Sequence, residues 1–232
     1  MASSSVDEYP QLMSLAVHEF RTPASVVGGY LRMLQRDGEP ALSGRQRHMI
    51  DEAEKSCARL VAIVAELSDI AKLDAGALTL ARQPLDLFAL VDEAAARVEA
   101  TADRDVHVAV RGDSTGARLS GDPGRLAQAL EAIFRAVARE HAGPATVVAE
   151  RRLDTVDGVR RAVVVVSEET RAQAAYAAPP GAFDETRGGL GLALPLARRV
   201  VDGHGGQLWS PRPTVDGDAL ARGAILLAVP VS

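Results

Sequence analysis

The stretch "AVHEFRTPASVV", residues 16–27, decides how the first third of the chain folds. Around it, apolar residues recur at Met13, Ala16, Phe20, Pro23, Val27, Tyr30 and Leu34. Steps of three and four residues are the a/d seam of one helix packed on another. With Met13 at a, His18 falls at f, farthest from the seam, so the pattern predicts an imidazole presented from the back of a helix. Pro23 falls on the seam, where its missing N–H and its ring would bend that helix.

A second helical pattern runs from about Ser43 to Asp74 through Ile50, Ala53, Cys57, Leu60, Val64, Leu67 and Ala71, and Gly76 supplies the stop. "QRDGEPALSG" between the two patterns carries glycine and proline and reads as a turn, giving an antiparallel helical hairpin. One hairpin leaves part of its apolar surface uncovered. Two hairpins cover it as a four-helix bundle, so a homodimer is expected.

Beyond "ARQP" the period changes. "PLDLFALVDEAAARVEA" reads as a short strand and a helix, and "DVHVAV" alternates with period two as a strand does. "GDPGRLAQALEAIFRAVARE" is a capped amphipathic helix with Leu126, Leu130, Ile133, Phe134 and Val137 on one side. "ATVVAE" and "RAVVVVS" are strands joined by "DTVDG". "GGLGLALPLARRVVDGHGG" is a glycine-initiated helix, followed by the strands "GQLWS" and "GAILLAVP". Adjacent strands with segregated helices predict an α+β sandwich over residues 82–232, after a hairpin domain over residues 1–81.

Composition narrows the function. At 232 residues, 47% hydrophobic and 25% charged, the chain is globular and large enough for a real core. A net charge of −5 argues against a general nucleic-acid binder. The one cysteine, Cys57, excludes an intramolecular disulfide and a cysteine-based metal cluster. No apolar run approaches the roughly 20 residues of a membrane span, and "MASSSVDEYP" has no signal-peptide core, so a cytoplasmic protein is expected. A zinc-protease reading of "HE" fails, because Thr22 stands where the second ligand histidine should be. His204 sits in a helix-to-strand turn, His48, His107 and His141 have no partner spacing, and all four read as structural.

"HEFRTP" on the first helix, followed by an α+β domain carrying "GLGLAL" and "HGG", resembles the two-component histidine kinases over almost the whole chain. The resemblance implies a dimerisation and phosphotransfer hairpin, then an α/β sandwich of the histidine-kinase ATPase type. By that resemblance His18 is the phosphoacceptor; an imidazole with a pKa near ~6.5 is mostly neutral at cellular pH and can attack a phosphoryl group. Glu19 would handle the proton on the other ring nitrogen, and Arg21 would steady phosphoryl charge. Thr22, one turn from His18, corresponds to the residue that orients water for dephosphorylating a partner's aspartate.

The second domain departs from the family. Aligned on "LAQALEAIFRAVARE", the magnesium-binding asparagines are replaced by Glu131 and Arg135, and a guanidinium has no lone pair for a metal. Where Asp-x-Gly-x-Gly should follow a strand stand Glu168, Thr170 and Ala172, and the lid before Gly189 is short. Gly189 and Gly191 survive at the head of a helix, where an anion could still be held. The expectation is a phosphotransfer or phosphatase protein exchanging phosphoryl groups between His18 and a response-regulator receiver domain, with no resident metal and weak or absent Mg-ATP binding. Two alternatives stay open: an ATP-dependent autokinase using Glu131 for the metal and Arg135 for phosphate, and a non-catalytic pseudokinase scaffold. With no sensor segment in the sequence, the signal is expected from an upstream kinase or sensor, or from further parts of a longer protein.

Overall fold

The structure, a computed structural model, describes residues 5–37, 42–99, 106–156, 158–212 and 223–232. It divides into two compact units, Met1–Leu78 and Thr79–Ser232.

The first unit is a hairpin of two long helices, α1 (Ser5–Asp37) and α2 (Gly44–Asp74). Ser43 caps α2 through a reciprocal capping box. Its hydroxyl accepts from the Gln46 backbone N–H at 3.3 Å, while the Gln46 side chain accepts from the Ser43 N–H at 2.9 Å. Gly76, at φ +64°, ends the pattern where the sequence predicts. The connecting turn expected within residues 35–44 lies in part outside the described residues.

The face joining α1 to α2 differs from the predicted seam. Val17 and Gly28 are buried, with Ala24 and Leu31 half-buried, so α1 presents mainly the e positions of the register assigned above. The Cys57 thiol donates to the Ala24 carbonyl at 2.7 Å, and a Cβ on Gly28 would lie 3.3 Å from Cys57 Sγ, so small residues let the helices approach closely. Cys57 and Val64 of α2 are buried as expected. Phe20, Val27, Tyr30, Leu34 and Leu60 are instead exposed within one hairpin, and so is Pro23, which does not sit in the hairpin core. At 3.6 residues per turn, the Phe20–Val27–Leu34 stripe lies about a quarter turn from the Val17–Ala24–Gly28 face. A helix with two apolar faces at that angle has one neighbour in its own hairpin and room for another.

The second unit is α+β. A six-stranded sheet runs in the order β2 (Val106–Arg111), β4 (Ala145–Val156), β5 (Val159–Glu168), β8 (Ala224–Pro230), β7 (Gln207–Pro211), β6 (Pro180–Gly181). β2 and β4 are parallel and the other neighbours antiparallel. A small antiparallel pair, β1 (Gln83–Asp86) with β3 (Arg118–Gly121), stands beside it. The helices are α3 (Leu87–Glu99), α4 (Pro123–Arg139), the short α5 (Ala172–Ala177) and α6 (Ala193–Gly203).

Strand alternation explains how the sheet is covered. Val164 and Val166 of β5 lie opposite Leu227 and Ile225 of β8, all fully or nearly fully buried, while Val163 and Val165 pair with Ala228 and Leu226 on the other face. α3 and α6 each pack on α4, with Leu126, Leu130, Ile133, Phe134 and Val137 of α4 buried as the sequence predicts. Val163, Val165, Leu226 and Ala228 form a separate cluster with Ala175 of α5, Tyr176 and Trp209.

Asp122 caps α4 by accepting from the Arg125 N–H at 3.1 Å and also accepts from the Ala81 N–H at 3.0 Å, with Pro123 in the first turn. Asp86 does the same work for α3, accepting from the N–H groups of Phe88 (3.0 Å) and Gly116 (2.7 Å).

Candidate functional site

His18 lies in the α1 backbone, and its side chain lies outside the described residues. The residues after it are described: Glu19, Arg21 and Thr22 are all exposed, next to buried Val17. Helix α1 therefore brings Glu19, Arg21 and Thr22 to the surface within about one turn of residue 18.

The carboxylates expected to meet a nucleotide each have partners within the protein. Glu131 reaches Arg97 of α3 and Arg135 of its own helix. One Glu131 oxygen accepts from Arg97 Nε at 2.7 Å and the other from Arg135 at 3.2 Å. Each carboxylate oxygen thus already accepts from a guanidinium. Arg97 escaped the sequence reading because its partner is on another helix, and no local spacing links them.

Glu168 is engaged locally as well. Thr170 Oγ1 donates to its carboxylate at 3.3 Å, and Arg171 pairs with it at 3.3 Å across a 3-10 turn over residues 169–171. Ala172 then opens α5 and is buried. The segment that the family resemblance makes a lid thus turns away onto the outer face of the sheet. Arg111 on β2 pairs with Glu169, the Tyr176 hydroxyl donates to Asp154 at 2.8 Å, and the Arg152 guanidinium lies 4.1 Å over the Tyr176 ring. β6 follows and extends the sheet through β7.

The glycine turn is intact as backbone. Gly188, Gly189 and Gly191 have φ of +67°, +60° and +69°, values that glycine adopts without the Cβ penalty. They lead into α6, whose N-cap position, Leu192, makes no side-chain capping bond. The α4 side that meets this turn is that of Ala136, Arg139 and Glu140. A Cβ on Gly188 would fall 2.8 Å from Ala136 Cα, Arg139 donates to the carbonyls of Gly188 and Gly189, and Arg187 pairs with Glu140. An arginine directly before Gly-Gly was visible in the sequence; its glutamate partner forty-seven residues earlier was not.

His204 is structural, as read from the sequence. Its Nε2 accepts the Asp122 N–H at 2.9 Å, so Nδ1 carries the proton and donates to the Val200 carbonyl at 2.6 Å. Burial holds its pKa below the ordinary histidine value, the Val200 hydrogen bond opposing and the Arg82 charge reinforcing. Gly206 beside it has no room for a side chain, since a Cβ would meet the Ala228 carbonyl at 2.6 Å.

Comparison with known proteins adds independent evidence. Residues 11–76 match the family described as His Kinase A (phospho-acceptor) domain. The chain is 29% identical over 204 residues to sensor protein GacS of Pseudomonas syringae pv. syringae, covering 82% of this chain and 22% of GacS. It is 27% identical over 206 residues to the probable sensor histidine kinase TcrY of Mycobacterium tuberculosis, covering 85% of this chain and 42% of TcrY. The chain therefore spans about a fifth of GacS and under half of TcrY. Among solved structures, full-length ShkA in complex with AMPPNP matches with a TM-score of 0.69 at 24% identity, over 96% of this chain and 46% of that one. The histidine kinase ThkA in complex with response regulator TrrA matches with a TM-score of 0.54 at 17% identity, over 96% of this chain and 61% of that one. At these identities the structural likeness establishes the fold. Among the described residues, no helix is long and apolar enough to cross a membrane.

Proposed function

We propose, from the match of residues 11–76 to the phospho-acceptor domain family, that the chain is a member of the two-component histidine kinase family and that His18 carries a phosphoryl group exchanged with the aspartate of a response-regulator receiver domain. The observation that carries this reading is the coincidence of "HEFRTP" with the matched phosphoacceptor region on α1, with Glu19, Arg21 and Thr22 exposed beside it. A neutral imidazole nitrogen of His18 attacks phosphorus, the bond to the donor oxygen breaks, and the ring is left as a phosphoramidate whose positive charge Glu19 offsets. Transfer to a carboxylate of the regulator reverses the ring's gain. Thr22 holds a water for hydrolysis of the resulting acyl phosphate. The exposed stripe of α1 suits a second copy of the hairpin, so the working form is a homodimer.

We infer further that Mg-ATP binds weakly or not at all, so phosphate reaches His18 from a phosphorylated regulator or an upstream kinase. If magnesium and ATP are to bind, Glu131 is the one carboxylate near the position the family uses, and both its oxygens accept from arginine. Magnesium needs oxygen ligands in nearly ideal octahedral array, and a guanidinium offers none. The second reading, an ATP-dependent autokinase, is favoured by the Gly189–Gly191 turn, which still opens α6 at positive φ. ShkA was solved with AMPPNP, and TcrY is named a probable sensor histidine kinase.

Two measurements separate these. Isothermal titration of the chain with magnesium and a non-hydrolysable ATP analogue is expected to give a dissociation constant in the millimolar range or no heat. Each unsatisfied group costs about 1–3 kcal/mol, and about 1.4 kcal/mol is tenfold in affinity, so losing two or three contacts moves a micromolar site that far. Incubation with a phosphorylated receiver domain is expected to give an acid-labile label that His18→Ala abolishes. Binding in the tens of micromolar with ATP-driven labelling of His18 would establish the autokinase instead, and label that persists in His18→Ala would remove both readings.

A further inference from the structure

We infer that the glycine turn of the second unit is a clasp held shut on α4 by the protein's own side chains, so that no ligand enters between Gly188 and α4. It goes beyond the proposed function and holds whether or not nucleotide binds elsewhere on the turn, where a Cβ on Gly189 would meet nothing within 4 Å.

The contact is backbone on backbone. Gly188 sits so close to α4 that a Cβ there would lie 2.8 Å from Ala136 Cα and 3.1 Å from the Ala136 carbonyl oxygen, and Ala136 is fully buried. An ordered ligand needs its own van der Waals thickness between two surfaces, and these already touch.

Two arginines fix the turn in place. Arg187 forms a fork-to-fork pair with Glu140, Nε to Oε1 at 2.8 Å and a terminal nitrogen to Oε2 at 2.7 Å. Its remaining terminal nitrogen donates to Ser210 Oγ at 2.8 Å and the Ala224 carbonyl at 2.9 Å, tying the turn to β7 and β8. Arg139 adds bonds from α4 to the carbonyls of Gly188 (3.5 Å) and Gly189 (3.3 Å).

The Arg187 side chain is only 6% exposed. Lifting the turn off α4 would separate a buried guanidinium from its carboxylate, which is costly because each charge is left without its partner. Nor does the preceding chain offer slack. Residues 172–177 are anchored on the sheet's outer face and residues 180–181 are paired to β7. The unit therefore keeps one shape with or without nucleotide, and what opens it is rupture of the Arg187–Glu140 pair.

Trypsin reads this directly, because it cuts after Arg187 and only when the turn is open. Native-state digestion of the full chain, followed by mass spectrometry, is expected to cut Arg187–Gly188 at least a hundredfold more slowly than a free peptide of the same sequence. Glu140→Gln keeps the site and the shape but removes the carboxylate charge, and should speed that cut at least tenfold, with cleavage after buried Arg151 on β4 unchanged. Arg139→Gln, a change at an exposed side chain, should speed it by a smaller factor. Millimolar magnesium with AMPPNP should change none of these rates. A wild-type turn cut at the free-peptide rate would overturn the clasp. So would Glu140→Gln raising the Arg187 and Arg151 cuts together, since opening would then be global unfolding. A protected turn in a chain that binds the analogue at micromolar concentration would instead leave the clasp standing and remove the nucleotide-loss reading.

Discussion

Replacing Leu60 by aspartate should break the dimer while leaving each hairpin folded. Within one chain Leu60 is 56% exposed, together with Phe20 (65%), Tyr30 (64%), Val27 (52%) and Leu34 (51%). Full burial of a large apolar side chain is worth about 1.5–3 kcal/mol, so covering what is exposed gains roughly 1–2 kcal/mol for each residue. Five such residues on each of two copies give on the order of 10–20 kcal/mol, against an association cost of about 4–15 kcal/mol. The dimer is thus poised, and single residues matter. Leu60→Asp removes roughly 2 kcal/mol of burial over the two copies and places two carboxylates in the interface, at a further cost of a few kcal/mol. At least about 4 kcal/mol is lost, near a thousandfold in dissociation constant. Sedimentation equilibrium from nanomolar to tens of micromolar should show a dimer for the wild type and a monomer for the variant, with helical circular dichroism retained. Val64, buried between the two helices of one hairpin, provides the contrast: Val64→Asp should lower the helical signal itself. A monomeric wild type, or a Leu60→Asp chain that still dimerises at low micromolar concentration, would refute the assignment of the exposed stripe.

Two further outcomes are expected. Thr22→Ala should slow dephosphorylation of a receiver domain at least tenfold while phosphotransfer to His18 persists, measured by following both labels over time; equal loss of the two would make Thr22 a structural residue. His204 accepts a backbone N–H on its unprotonated Nε2, and burial holds its folded pKa below that of the unfolded chain. The unfolded state therefore binds the proton first, and the stability contributed by neutral His204 is present above about pH 6.5 and lost as pH falls below it. The melting temperature should fall on acidification through this window, and His204→Phe should lower it at neutral pH and flatten that part of the slope.

The sequence was most legible where a pattern reports on its own neighbourhood. Ser43 and Gln46, Gly76, and Asp122 with Pro123 are local signals, and each marks a helix end in the structure. β2 follows from period-two alternation, β4 and β5 from short apolar runs, and α4 from its amphipathic period. The hairpin seam was misjudged by about a quarter turn, because one 3-4 pattern cannot say which neighbour it serves. A helix with two partners carries two apolar faces, and the larger residues lie on the outer one. α5, β6 and β3 were missed for a different reason. They are short, and α5 exists because Ala172 and Ala175 find the back of a sheet formed elsewhere in the chain. The ion pairs of Arg97 with Glu131 and Arg187 with Glu140 join residues 34 and 47 positions apart, and nothing local announces them.

The two halves of the chain have kept different kinds of family likeness, for a physical reason. In the hairpin, what resembles the kinases is exposed: Glu19, Arg21 and Thr22 all lie on the surface of α1. In the second unit, what resembles the kinases packs. His204 ties α6 to the start of α4, and Gly206 lets β7 approach Ala228. Each of these would persist in a domain that never meets a nucleotide, because replacing it opens a void or forces a clash. His-Gly-Gly is therefore weak evidence for ATP. The two carboxylates expected to meet magnesium or adenine have partners within the protein: Glu131 pairs with Arg97 and Arg135, and Glu168 with Thr170 and Arg171. Under the proposed function, a ligand competes with those partners for the same carboxylates, and weak Mg-ATP binding is the expected result.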